Sequence, residues 1–135
     1  MLGGMGNTGG DNRDELVHRE VPSPNFNERT LPISMVVLHY TEMKPVETAL
    51  ERMCDLAASV SAHYCITEEG EVIRLVPEDK RAWHAGASYW RGIPDVNSAS
   101  IGIELDHPGH APGNGGYRGF AEPQIAALIP LLARI

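Results

Sequence analysis

The sequence predicts an α/β domain: a central mixed β-sheet flanked by α-helices. Three observations carry this. A short apolar, β-branched run, Met35-Val36-Val37-Leu38-His39-Tyr40, precedes an amphipathic helical pattern. Two strand-like runs flank Glu68-Glu69-Gly70, and Ser100 to Leu105 alternates with a period of two before a second helical pattern. A chain of 135 residues, 42% of them hydrophobic, is the size of one domain around one core, so a single site is sought.

Met1 to about Glu20 is rich in Gly, Asn, Asp and Arg, and residues 1–20 therefore read as a flexible leader to a domain spanning 21–135. Val21-Pro22-Ser23-Pro24-Asn25 is an extended entry, because each proline fixes its own φ and biases the residue before it out of the α region. The run from Met35 looks like a strand buried on both faces, which puts His39 at its C-terminal end. Pro45 suits a first helical turn, and Val46, Ala49, Leu50, Met53 and Cys54 follow at helical spacing over about three turns. Ala62 to Thr67 and Glu71 to Val76 form a hairpin in which Gly70 can take a positive φ. In Ser100 to Leu105, Ile101, Ile103 and Leu105 share one face, leaving Gly102 and Glu104 on the other.

Pro108 to Gly119 is a Gly-rich loop. From Glu122, residues Ile125, Leu128, Ile129, Leu132 and Ile135 return to helical spacing, with Pro130 expected to kink or limit the helix. That helix ends without a Gly or Asn cap and without a following element, so the expected fold is incomplete at its C-terminus.

The formal charge of -7, from 18 acidic against 11 basic residues with no Lys/Arg cluster, argues against nucleic acid as a partner. The Gly-rich start has neither the basic nor the apolar region of a signal peptide, and no stretch is apolar enough for a membrane span. A cytoplasmic location is expected. Cys54 and Cys65 are too few for a disulfide scaffold and read as reduced core residues.

Several residues could carry chemistry. His39 ends a hydrophobic strand, where an imidazole either points into a cleft or serves as a hydrogen-bonded structural residue. Glu104, mid-strand, either faces water or is buried with a raised pKa, the tuning a general base needs near neutral pH. Gly102, on the same face, is expected to leave room beside it for a water or substrate. Trp83-His84 and His63-Tyr64 pair a histidine with an aromatic, suited to amphipathic sugars and peptides or simply to a core. His107 and His110 lie on a loop where no rigid element fixes their spacing. A hydrolytic zinc site wants three protein ligands and one open position, and His39 alone stands in a convincing ligand context.

In chain order, Val37-Leu38-His39-Tyr40-Thr41, Val60-Ser61-Ala62-His63-Tyr64, Leu75-Val76-Pro77-Glu78, Ala82-Trp83-His84-Ala85-Gly86 and Ser100-Ile101-Gly102-Ile103-Glu104-Leu105 resemble the successive motifs of zinc-dependent N-acetylmuramoyl-L-alanine amidases of the AmpD type. The resemblance runs from about Pro24 to the end of the chain and implies the fold shared with animal peptidoglycan recognition proteins. It implies Zn2+ as cofactor, His39 as first zinc ligand, and Glu104 as the glutamate that takes a proton from the attacking water and passes it to the leaving amine. It places His63 and His84 in the pocket near metal and substrate, with peptidoglycan or a muropeptide as substrate; the adjoining aromatics Tyr64 and Trp83 are expected to bind substrate through their amphipathic faces. Periplasmic relatives exist alongside cytoplasmic ones. The family's remaining zinc ligands lie in a Gly-His block and an Asp-Pro-Gly block that this sequence does not contain, and Asp106-His107 departs from the residues usual after the glutamate. Two readings stand: a metal amidase, or a peptidoglycan-binding module without catalysis.

Overall fold

In chain order the elements are β1 (Arg19–Glu20), β2 (Phe26–Glu28), β3 (Met35–Tyr40), α1 (Val46–Met53), a 3-10 turn (Leu56–Ala58), β4 (Tyr64–Ile66), β5 (Val72–Arg74), β6 (Lys80–Ala82), α2 (Val96–Ala99), β7 (Ser100–Leu105) and α3 (Glu122–Arg134). The computed structural model describes residues 13–109 and 119–135. The main sheet has the order β1-β5-β4-β7-β3, and β2 and β6 form a separate antiparallel ribbon. Within the main sheet only β4 and β5 are antiparallel, as their tight hairpin requires; the other three pairs are parallel. The predicted mixed sheet with flanking helices is therefore what the chain forms.

Strand β7 sits between β4 and β3, and its alternation sorts the core into two layers. Ile101, Ile103 and Leu105 face α3 and pack with Tyr64, Ile66, Val72, Leu128 and Leu131. On the opposite face Cys65 and Ile73 meet Ala49, Leu50 and Met53 of α1. Helix α1 covers the β4–β5 side of that face, which leaves the β7–β3 side to the polar residues of the site.

Four expectations are corrected here. Residues 13–20 do not belong to a leader: Arg19–Glu20 pairs with Ile73 and Arg74, and Leu16 and Val17 pack on the core; the rest of the predicted leader lies outside the described residues. Strand β3 is an edge strand and not buried on both faces, with Leu38 47% exposed. Helix α1 is shorter than expected, since Pro45 is its extended N-cap and Cys54 ends it. Helix α3 continues past Pro130 to Arg134.

Two close approaches hold the layers together. Gly70, at a φ of 93°, is the one residue type that suits this turn, and a Cβ there would lie 2.7 Å from the Pro123 carbonyl oxygen at the start of α3. The buried Gln124 amide donates to the carbonyls of Ile66 and Asp106 at 2.9 and 3.0 Å, tying α3 to the ends of β4 and β7. Both cysteines are free thiols, as expected.

Candidate active site

Parallel pairing of β3 with β7 sets His39 opposite Glu104 and Val37 opposite Gly102. Paired residues in a ladder project to the same side, so His39, Gly102 and Glu104 share one face of the sheet. The loop after β6 lays His84 across that face. Its ring contacts the Gly102 backbone so closely that a Cβ on Gly102 would stand 2.4 Å from the His84 Cγ atom. The room expected beside Glu104 is thus filled by an imidazole, which is the physical reason for a glycine in mid-strand. The Asn97 side-chain carbonyl fixes the loop by accepting from the backbone N–H groups of His84 and Ala85 at 2.9 and 2.8 Å.

His84 connects two polar groups. Its Nδ1 lies 2.9 Å from Nε2 of His39, and its Nε2 lies 2.9 Å from the Ser100 hydroxyl. Burial lowers the pKa of His39; burial, then the neighbouring His39 and His63, hold His84 down to about 3. Both are neutral imidazoles at physiological pH.

Glu104 has no hydrogen-bond or ion-pair partner among the described residues, and burial alone raises its pKa from 4.5 to about 7. A carboxyl poised there can accept and return a proton near neutrality. It opens into a cavity of about 150 Å³ lined also by His84, Trp83, Thr41, Met43 and Ser61. Trp83 is half-buried, its indole N–H donating to the Asn27 side chain at 3.2 Å. His39 borders a neighbouring apolar groove with Leu38, Ala85, Tyr89 and Trp90.

The structure brings together His39, Glu104, His84 and Trp83, with the His63 ring behind them 6.1 Å from that of His84, and places Tyr64 on the other side of the sheet. His63 is fully buried: its Nδ1 accepts from the Gly102 N–H at 3.0 Å, its Nε2 donates to the Lys80 carbonyl at 2.8 Å, and its pKa falls to about 4. Tyr64 is fully buried on the α3 face, and its hydroxyl donates to Glu78. Strand alternation separates the two: Tyr64 turns to the α3 face, whereas His63 stays on the site side, buried beneath His84 and Gly102. Sequence reasoning passed over Ser100 and Asn97, whose roles depend on where the loop after β6 returns. His107 is buried, its Nδ1 accepting from the Gly109 N–H at 3.0 Å, and His110 lies outside the described residues.

Among the described residues, no group of three His, Cys, Asp or Glu side chains is placed to hold a metal ion. His39 is one donor of the three a hydrolytic zinc takes, so the described residues do not by themselves complete such a site.

Relatives have similar sequences and architecture. The chain is 40% identical over 109 residues to the N-acetylmuramoyl-L-alanine amidase AmiD of Escherichia coli (strain K12), covering 73% of this chain and 38% of AmiD. It is 36% identical over 107 residues to the 1,6-anhydro-N-acetylmuramyl-L-alanine amidase AmpD of Salmonella typhimurium (strain SL1344), covering 65% of this chain and 57% of AmpD. Among solved structures, a selenomethionine AmpD derivative superposes with a TM-score of 0.69 at 30% identity, over 82% of this chain and 68% of that one. E. coli AmiD, in complex with the substrate anhydro-N-acetylmuramic acid-L-Ala-D-gamma-Glu-L-Lys, does so with a TM-score of 0.63 at 36% identity, over 81% and 42%. The chain thus spans between about a third and three fifths of the length of these two sequence relatives. Residues 29–135 match the family described as Amidase_2: N-acetylmuramoyl-L-alanine amidase, and the chain belongs to that family.

Proposed function

We propose that this chain carries the proton-transfer half of an amidase site that hydrolyses the bond between N-acetylmuramoyl or anhydromuramoyl groups and L-alanine in peptidoglycan or muropeptides. The observation that carries it is Glu104, a carboxyl without a hydrogen-bond or ion-pair partner among the described residues, raised by burial to a pKa of about 7 and opposite His39 on the same sheet face. Glu104 takes a proton from the attacking water and returns it to the leaving amine. Trp83 and His84, on the cavity wall, meet the substrate, with the half-buried indole offering an apolar face and a polar edge to an amphipathic ligand. His39 is the donor offered to Zn2+, which when bound supplies Lewis-acid polarisation of the scissile carbonyl. The AmiD complex supports the substrate class, since that relative is solved with an anhydromuramyl peptide.

Glu104→Gln keeps size and removes the base. Peptide release from a muramoyl-peptide should fall by about 100-fold or more, with melting temperature not lowered. A folded Glu104→Gln protein of near-normal turnover would take the glutamate out of the mechanism. A wild-type chain that binds the muropeptide and leaves it intact would favour the binding-module reading.

A further inference from the structure

A chain of hydrogen bonds runs from the backbone beneath the site to its most exposed imidazole. The Ser100 hydroxyl lies 2.6 Å from the Val96 carbonyl and 2.9 Å from Nε2 of His84, and Nδ1 of His84 lies 2.9 Å from Nε2 of His39. Each link needs one proton, so the series can run in only two directions. In the first, Ser100 donates to the Val96 carbonyl and so accepts from His84 Nε2–H. His84 Nδ1 is then a bare lone pair and accepts from His39 Nε2–H. In the second, Ser100 donates to His84, His84 Nδ1–H donates to His39, and His39 carries its proton on Nδ1.

The first direction satisfies every donor and the carbonyl. The second abandons the shortest contact of the series and leaves His39 Nδ1–H with no acceptor among the described residues. Giving up the hydroxyl's bond to this carbonyl loses about 0.5–1.5 kcal/mol, and together with the unsatisfied Nδ1–H it favours the first direction. We infer that Ser100 and His84 are positioning residues that fix His39 in the Nε2–H tautomer and leave Nδ1 as its donor atom. The direction originates in Val96, a carbonyl that can only accept, and reaches the site through two side chains.

The inference rests on His39 being the donor proposed above, and it adds which nitrogen donates and what dictates the choice. Two-bond 1H–15N correlation spectra of the metal-free chain at about pH 8, where both imidazoles are neutral, read the tautomers directly. Wild type should show protonated Nε2 and bare Nδ1 on both His39 and His84, the signals being assigned by their loss in His39→Gln. Ser100→Ala removes the acceptor for His84, and the His39 signals should move toward a mixture of tautomers, with Ser100→Thr restoring the wild-type pattern. A wild-type His39 protonated on Nδ1 would overturn the inference, and that measurement needs no variant to fold. A His39 tautomer unmoved in folded Ser100→Ala would overturn the positioning role as well. Neither result touches the proposed reaction, whose own failure would appear as unchanged peptide release in Glu104→Gln.

Discussion

On the α3 face of the sheet, Ile101, Ile103 and Leu105 meet an apolar layer, whereas the residues that alternate with them, Gly102 and Glu104, meet imidazoles and a cavity. The two faces of β7 are made by one alternating sequence and do opposite things. One gains free energy by removing apolar surface from water. The other keeps a buried carboxyl that has no partner among the described residues, which costs stability and leaves a group able to move a proton. The fold can hold a destabilising residue in register with His39 because its strand is anchored from behind.

The largest effect expected from breaking that arrangement is on the anchoring face. Ile103 is fully buried between β4 and β3, so Ile103→Ala should cost about 2–5 kcal/mol in denaturant unfolding. Peptide release per folded molecule should change little. A loss below about 1 kcal/mol would mean that the α3 face is not the anchor.

On the site face the expected signature is pH dependence. The pKa of Glu104 is raised from 4.5 to about 7 in the folded chain, so its stability contribution is fully present below pH 4.5 and is lost as pH rises toward 7. Glu104→Gln removes that loss. Its unfolding free energy should track wild type near pH 4.5 and exceed it increasingly toward pH 7, by up to roughly 1.4 kcal/mol per pH unit, with the melting temperature rising in parallel. His84 has the opposite sign: its pKa falls from 6.5 to about 3, so its contribution is present above pH 6.5 and is lost as pH falls. Stability curves for wild type and Glu104→Gln that stay parallel from pH 4 to pH 8 would show that Glu104 is not desolvated.

A smaller effect follows from Gly102→Ala, which puts a methyl group where the His84 ring lies. The ring must move, at a cost of about 1–3 kcal/mol, and its contacts with His39 and Ser100 should be lost together. Crystallography or the same tautomer spectra would detect this; an unchanged His84 would refute the close approach.

The position of Gly102 also marks how far the sequence was legible. Alternation, a local pattern, told which face it occupies; the register of β3 and β7, which sets His39 opposite Glu104, pairs segments about 65 residues apart and is seen only in the fold. What fills the space above a glycine is decided by a loop from elsewhere in the chain, so the residue next to Glu104 was His84 and not a ligand. His63 and Tyr64, both fully buried, were hard to read for the same reason: a histidine beside an aromatic looks alike in a pocket and in a core. Strands β1, β2 and β6, of two or three residues, are too short to show any period.

Leu38 is where the smallest effect is expected, and it tests the hardest thing to read from a sequence, whether an apolar strand lies at the centre of a sheet or at its edge. The run Met35–Tyr40 has the composition of a central strand, yet β3 pairs on one side only, and Leu38 is 47% exposed although its neighbours on β7 are buried. Burial, and not composition, sets the cost of a substitution, so Leu38→Thr, which puts a β-branched strand former at an exposed edge position, should change unfolding free energy by no more than about 0.5 kcal/mol. Ile103, its register partner on β7, should cost several times more when truncated, although the two side chains are similar in size. If Leu38→Thr costs as much as Ile103→Ala, the free edge of β3 is covered in solution, and the difference between the edge and the centre of this sheet disappears.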